Sequence, residues 1–152
     1  MFQVEKPQDT PALGDVIEND GFWPALSIED FRINMRLPAE YDSGAVRNAL
    51  ILSMGAINIE LNAWTMRGKA KYGHAENSPK LAGEPMLVVN YKMAVFNHAK
   101  ASLLTHYATL DRREEAENVA KESQETFNRL MAQSQQAIRN IMGISMVTVS
   151  ML

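Results

Sequence analysis

The strongest constraint on this chain lies in its C-terminal third, from Ala116 to Leu152. Small and apolar residues recur there on two interleaved seven-residue series, Ala116, Ser123, Leu130, Ala137 and Ala120, Phe127, Ser134, Ile141. That is the spacing of a helix with one packed seam. The pattern predicts a stop at Gly143, where a glycine can take the left-handed conformation that closes a helix, with Arg139 in the last turn near the negative end of the dipole. Ile144, Met146, Val147, Val149, Met151 and Leu152, interleaved with Ser145, Thr148 and Ser150, then read as an extended, strand-like tail. A lone apolar strand pairs with its own domain or adds to another chain's sheet edge. The second is favoured here, because little else in the chain resembles strand.

The chain upstream reads as helices separated by breakers. Residues 1–21 carry Pro7, Pro11, Gly14 and Gly21 without a sustained period, as expected of a flexible arm. Phe22-Trp23-Pro24 places two aromatics before a proline that excludes Trp23 from helical geometry. Ser27 can then cap a short helix, Ile28 to Arg36, with Asp30 at the capping-box position and Pro38 beyond its end. A second helix is predicted from Asp42 or Ser43 to about Arg67, with Val46, Ala49, Leu50, Ser53, Ile57, Leu61 and Trp64 on its apolar stripe.

Between Gly68 and Pro85 the residues are rich in Gly, Lys, Asn and Pro, which predicts a long, mobile, locally basic loop. Pro85 suits a first helical position, and Leu87 to Tyr107 is apolar nearly all round, so this helix is expected at the centre. Asp111 is placed to cap the last helix, whose first turns hold Glu114, Glu115 and Glu117 near its positive end. The expected fold is mainly α: an antiparallel bundle of three long helices and one short N-terminal helix, with the extended tail appended. The expected division is an arm over 1–21, a helical domain over 22–143 and a partner-binding tail over 144–152.

Composition narrows the function classes. With 152 residues, 46% hydrophobic, the chain suits one domain with a modest core. A net charge of -3 offers no basic footprint for sequence-specific DNA binding. The absence of cysteine removes disulfides and thiolate chemistry. No apolar run approaches the roughly 18 to 20 residues that span a bilayer, and the first eight residues lack a signal-peptide core, so no membrane contact is expected.

No catalytic or metal constellation is legible, and no cofactor is expected. A di-iron bundle would need Glu-x-x-His pairs, and none of His74, His98 or His106 is preceded by such a glutamate. The carboxylates Asp111, Glu114 and Glu115 fit capping and dipole compensation better than acid/base work. No phosphate loop or nucleophile elbow is present, so no enzyme is expected. Lys69, Lys71, Tyr72 and Lys80 could touch nucleic-acid phosphates, though a solvated loop explains them as well. Met142, Met146 and Met151 cluster where a contact with another chain is expected.

An ordered set of residues resembles the head completion proteins of tailed bacteriophages, of the gpL kind found in temperate phages with contractile tails. It begins at Phe22-Trp23-Pro24, Ile28, Arg32, Met35, Arg36 and Leu37, and continues with Asn58, Glu60 and Leu61. The most specific block is Tyr91, Ala94, Val95, Ala99, Ala101, Ser102, Leu103, Tyr107 and Asp111; the series closes with Ala137, Ile138, Ile141, Gly143 and Val149-Ser150.

The resemblance implies a virion protein of the head-tail junction, assembled in the host cytoplasm, with no catalytic residues to carry over. It implies a connector adaptor that joins the portal ring after DNA packaging, forms a ring of its own copies (commonly twelvefold) and prolongs the channel for genomic DNA. It also implies docking of a tail completion or terminator protein. In that picture Ile144, Met146, Val147, Val149, Met151 and Leu152 insert against the portal. Lys69, Lys71, Tyr72 and Lys80 face the lumen or the tail. Arg47, Arg67, Arg129 and Arg139 meet Glu114, Glu117 and Glu122 between subunits. A competing class is a small cytoplasmic helical module or regulator that recognises a host protein through the same C-terminal strand.

Overall fold

The computed structural model describes residues 15–108 and 116–150, and within the last helix the side chains of 124–143. Two short strands, β1 (Val16–Ile17) and β2 (Leu26–Ser27), pair antiparallel and lead into α1 (Ile28–Asn34). Then come α2 (Ser43–Glu60), α3 (Asn62–Tyr72) and a 3₁₀ turn at Ala75–Asn77. A hairpin of β3 (Lys80–Leu81) and β4 (Glu84–Pro85) leads into α4 (Met86–Ala108), and α5 runs from Ala116 to Ser150.

α4 is the central element, as its apolar circumference predicts. It packs against α2 on one side and α5 on the other, and Leu87, Tyr91, Ala94, Val95, Ala99 and Leu103 are buried to within a few per cent. Ser53 of α2 meets His98 and Asn58 meets Tyr91. Ser134 of α5 meets Ala94 and Asn140 meets Asn90. Both neighbours therefore run opposite to α4. The α4–α5 seam follows the seven-residue series: Leu130, Ser134, Ala137 and Ile141 are buried, and the Ser134 hydroxyl donates to the Ala94 carbonyl at 2.7 Å. Small side chains on both helices allow that approach, since a larger residue would hold the backbone out of reach.

Local capping sets the helix starts. The Ser27 hydroxyl accepts from the Asp30 N–H at 3.1 Å, and the Asp42 carboxylate accepts from the Ala45 N–H at 3.1 Å. The first helix is shorter than its pattern suggests, ending at Asn34 rather than Arg36, because Arg36 takes a φ of 49° and turns the chain away.

Four expectations are corrected. The long second helix is interrupted at Leu61, where the chain redirects before α3. This turn carries Trp64 and Thr65 onto Trp23, and burying those aromatics outweighs the few hydrogen bonds of an unbroken helix. The stretch Gly68 to Pro85 is not one long loop. α3 runs through Lys71 and Tyr72, Gly73 closes it at φ 76°, and the 3₁₀ turn and hairpin follow. Buried Ala75 donates its N–H to the Phe22 carbonyl at 3.0 Å, and buried Ser78 accepts from the Leu87 N–H at 3.1 Å, so this stretch is bound to the body at two points. Third, the arm expected over 1–21 ends earlier, since residues 15–21 fold onto the body through β1 and Asn19.

The fourth correction concerns the C-terminus. α5 does not stop at Gly143, which lacks a positive φ, but continues through Ile144, Met146, Val147 and Val149 to Ser150. The strand-like tail is therefore helical. A helix already many turns long needs no new nucleus, so extending it through residues of modest helix propensity costs little. Met151, Leu152, and the expected cap Asp111 with Glu114 and Glu115, lie outside the described residues.

Glycine substitutions separate these features. A Cβ at Gly68 would sit 2.8 Å from Trp64 Cζ3 and 3.1 Å from Phe22 Cζ, whereas one at Gly55 or Gly143 meets nothing within 4 Å. Gly68→Ala is expected to lose about 1–3 kcal/mol despite its gain in helix propensity. Gly55→Ala and Gly143→Ala are each expected to gain about 0.5–1 kcal/mol. Urea unfolding of the three variants checks this, and a loss at Gly143→Ala would restore the cap at that residue.

Candidate functional site

The most ordered polar and aromatic cluster is built around Trp23. Its indole stacks on the Tyr91 ring at 4.7 Å and 8° and on Trp64 at 5.8 Å, with the edge of Phe22 at 4.8 Å. The indole N–H donates to Thr65 Oγ1 at 3.1 Å, and that hydroxyl donates to the Leu61 carbonyl at 2.9 Å.

Above the stack, three side chains close a ring of hydrogen bonds. Asn19 donates to Tyr91 Oη at 2.9 Å, the Tyr91 hydroxyl donates to Asn58 Oδ1 at 2.6 Å, and Asn58 donates to Asn19 Oδ1 at 2.8 Å. Burial pushes the Tyr91 phenol far above its ordinary range, so it keeps the proton this ring needs. Asp20 turns the chain into Phe22 and Trp23 by accepting both their N–H groups at 3.0 Å. Apart from the Trp64 indole N–H, the polar groups of this cluster are taken up by hydrogen bonds, so it positions elements. Trp64 Nε1 is buried without a hydrogen-bond partner among the described residues.

The side chains that could meet other molecules lie outside that cluster. Lys69, Lys71 and Lys80 are exposed, and Lys71 Nζ stands 5.3 Å from the centre of the half-buried Tyr72 ring. Arg47 and Arg67 are exposed on α2 and α3, and Arg129 and Arg139 on α5. The side chains of Glu117 and Glu122, and all of Glu114, are outside the described residues, so the expected intersubunit pairs are not brought together here. Arg129 and Arg36 instead stand near Lys100, whose ammonium is held below its ordinary pKa by burial and by these two cations. Lys100 Nζ is used structurally, donating to the Met35 carbonyl at 2.8 Å.

Sequence reasoning passed over a row of exposed aliphatic side chains on the outer face of α2 and α3. Leu52, Ile59 and Met66 are 73%, 79% and 69% exposed. The signal was available as seven-residue spacing on the side opposite the apolar stripe, the side that carries Arg47, Asn62 and Met66. Asn58 in fact points inward, to Asn19 and Tyr91.

Among the described residues no group of three or more His, Asp or Glu could hold a metal ion, and no helix is long and apolar enough to cross a membrane. What the fold defines is a mainly helical protein whose buried polar groups serve packing. The sequence matches the phage head completion protein (GPL) family over residues 17–152, and the chain belongs to that family. A curated relative, the probable head completion/stabilization protein of Haemophilus phage HP1 (strain HP1c1), is 31% identical over 131 residues, covering 84% of this chain and 86% of the relative. No solved structure matches the chain.

His98 supplies a pH test of the α2–α4 contact. Its Nδ1 lies 2.7 Å from Ser53 Oγ, and burial lowers its pKa below 6.5, opposed by Glu60 nearby. The folded protein thus binds a proton less readily than the unfolded chain. Stability is unaffected at pH above the unfolded value, falls as pH drops below about 6.5 and levels off below the folded value. Melting temperature is expected to drop by a few degrees more between pH 7.5 and 5 in the parent than in His98→Gln, as calorimetry would show.

Proposed function

We propose that the protein joins the portal ring once the head is filled, prolongs the DNA channel and offers the surface on which the tail completion or terminator protein docks. The family assignment supplies the head completion role. The structural observation that carries the finer reading is the length of α5. It has 35 residues, about 50 Å, twelve more than α4, against which its middle portion packs. With Asn140 beside Asn90, the last turns of α5 run past the start of α4 at Met86. A helix end that outruns its packing partner is suited to docking on another chain, by laying an apolar face in a groove.

In this reading the portal contact is made by Ile144, Met146, Val147 and Val149 of the helical end, together with Met151 and Leu152, which follow it in sequence. Lys69, Lys71 and Lys80, with Tyr72 beside them, face the channel or the tail. A ring repeats their charge many times, which makes contact with passing DNA phosphates plausible without sequence recognition. Arg47, Arg67, Arg129 and Arg139, opposite Glu114, Glu117 and Glu122, contribute to the rim between copies.

The test compares the full chain with a truncation after Gly143, each mixed with purified portal and followed by size-exclusion chromatography with light scattering. The full chain is expected to co-elute with portal as a ring-sized complex. The truncation is expected to bind at least tenfold more weakly while melting within a few degrees of the parent, because the buried α5 residues among the described side chains, Leu130, Ser134, Ala137, Ile138 and Ile141, all precede the cut. Equal binding by both forms removes the C-terminal helix from the portal contact.

A further inference from the structure

A groove of about 580 Å³ opens between α1, the β3–β4 hairpin, α4 and α5. Its apolar walls are Met35, Pro85, Val88, Val89, Met93 and Phe96. Phe96 is buried at its base, where its ring meets that of Phe31 at 5.1 Å, while Met93 remains 46% exposed. Asp30 and Lys92 on the walls pair with each other at 3.4 Å, and the amides of Asn34 and Asn97 donate to the Asp30 and Met93 carbonyls of their own helices. An occupant of this groove is therefore selected by apolar fit rather than by charge.

The described residues begin next to it. The Asp15 carbonyl accepts from the Ile28 N–H at 2.7 Å, and β1 pairs antiparallel with β2, Val16 opposite Ser27. Read towards Met1, the chain thus leaves β1 in the direction in which β2 enters α1, and Asp15 stands beside the first turn of that helix. Asp30 of the groove wall lies two residues beyond Ile28, and Asn34 and Met35 follow on the same wall. The seven residues of α1 rise about 10 Å. The fourteen residues before Asp15 span up to about 50 Å when extended, so the whole groove is within their reach.

Those residues carry the side chains that such a groove takes. Phe2 and Val4 alternate with Gln3 and Glu5, so in an extended course both apolar groups fall on one side. Pro7 and Pro11 favour such a course over a helix. Methionine adapts its shape, and a thioether beside an aromatic ring is a favourable contact, so Met35 and Met93 suit the Phe2 ring. We infer that Phe2 and Val4 seat in the groove of their own subunit, on Met35, Val89 and Met93. The N-terminal segment then acts as a strap that ties α1 and the hairpin to α4 and keeps other apolar surfaces off this face.

The chain has no cysteine, so introduced thiols report only the designed positions. Full-length Gln3→Cys/Gln133→Cys keeps Phe2 and Val4 and places its second thiol at the groove. Gln3→Cys/Ile59→Cys places it instead on the exposed aliphatic row of α2. Each is treated at low protein concentration with a short bis-maleimide, and linked peptides are identified by mass spectrometry in the monomer band. The groove pair is expected to link within the monomer about tenfold more than the Ile59 pair, and to fall to the level of that pair once Phe2→Ser and Val4→Ser are added.

Equal yields from the two pairs, or a groove yield that survives the serine substitutions, would reduce the link to tethering and overturn the inference. Links found only in covalent dimers would assign the segment to another copy and would overturn it as well. So would the absence of any link while both thiols react with a monofunctional maleimide.

Discussion

The stacking of Trp23 between Tyr91 and Trp64 is the contact on which the arrangement depends. It joins four pieces of chain: the segment after β1, the turn at Leu61, α3 and the central helix. A tryptophan can do this because it buries a large apolar face in two directions while its single N–H still needs a partner, here Thr65. The ring of Asn19, Asn58 and Tyr91 fixes the stack in one orientation, since each amide has its donor and acceptor taken. Phe22-Trp23-Pro24 is thus an anchor, and the proline keeps it extended so that both aromatics can turn inward.

Around that anchor the helices divide their labour. α4 is consumed by packing, and its polar side chains are spent on neighbours: His98 on Ser53, Asn90 on Asn140, Tyr107 on the Asp42 N–H. α2 and α3 are packed on one face only. α5 is packed through Leu130, Ser134, Ala137 and Ile141 among its described side chains, and its helix continues to Ser150. The polar groups named here are taken up by packing, in a chain whose family is a structural component of the phage head. The ion pair of Lys92 with Asp30 is more than a third exposed on each side and adds little to stability. Specific contact must come from shape and apolar area.

The lysines singled out in the sequence stand on ordered elements rather than on one mobile loop: Lys69 and Lys71 on α3 and Lys80 on β3.

The sequence alone determined the elements whose cause is local. Ser27 and Asp42 cap helices because their side chains reach the next N–H groups. α4 is central because no side of it is polar enough to face water. The α4–α5 seam follows the seven-residue series through Leu130, Ser134, Ala137 and Ile141, and the family was legible in residues such as Tyr91, Ala94 and Trp23, which make these contacts. Only the tertiary structure decided the rest. Gly143 has the propensity of a stop, yet the helix before it is long enough to carry the chain through. The residues from Gly68 to Pro85 have the composition of a loop, yet Ala75 and Ser78 bond to Phe22 and Leu87, distant or across a turn. Leu52, Ile59 and Met66 have the spacing of a core stripe, and they are exposed among the described residues because it is the opposite face of α2, with Val46, Leu50, Ser53 and Ile57, that packs on α4.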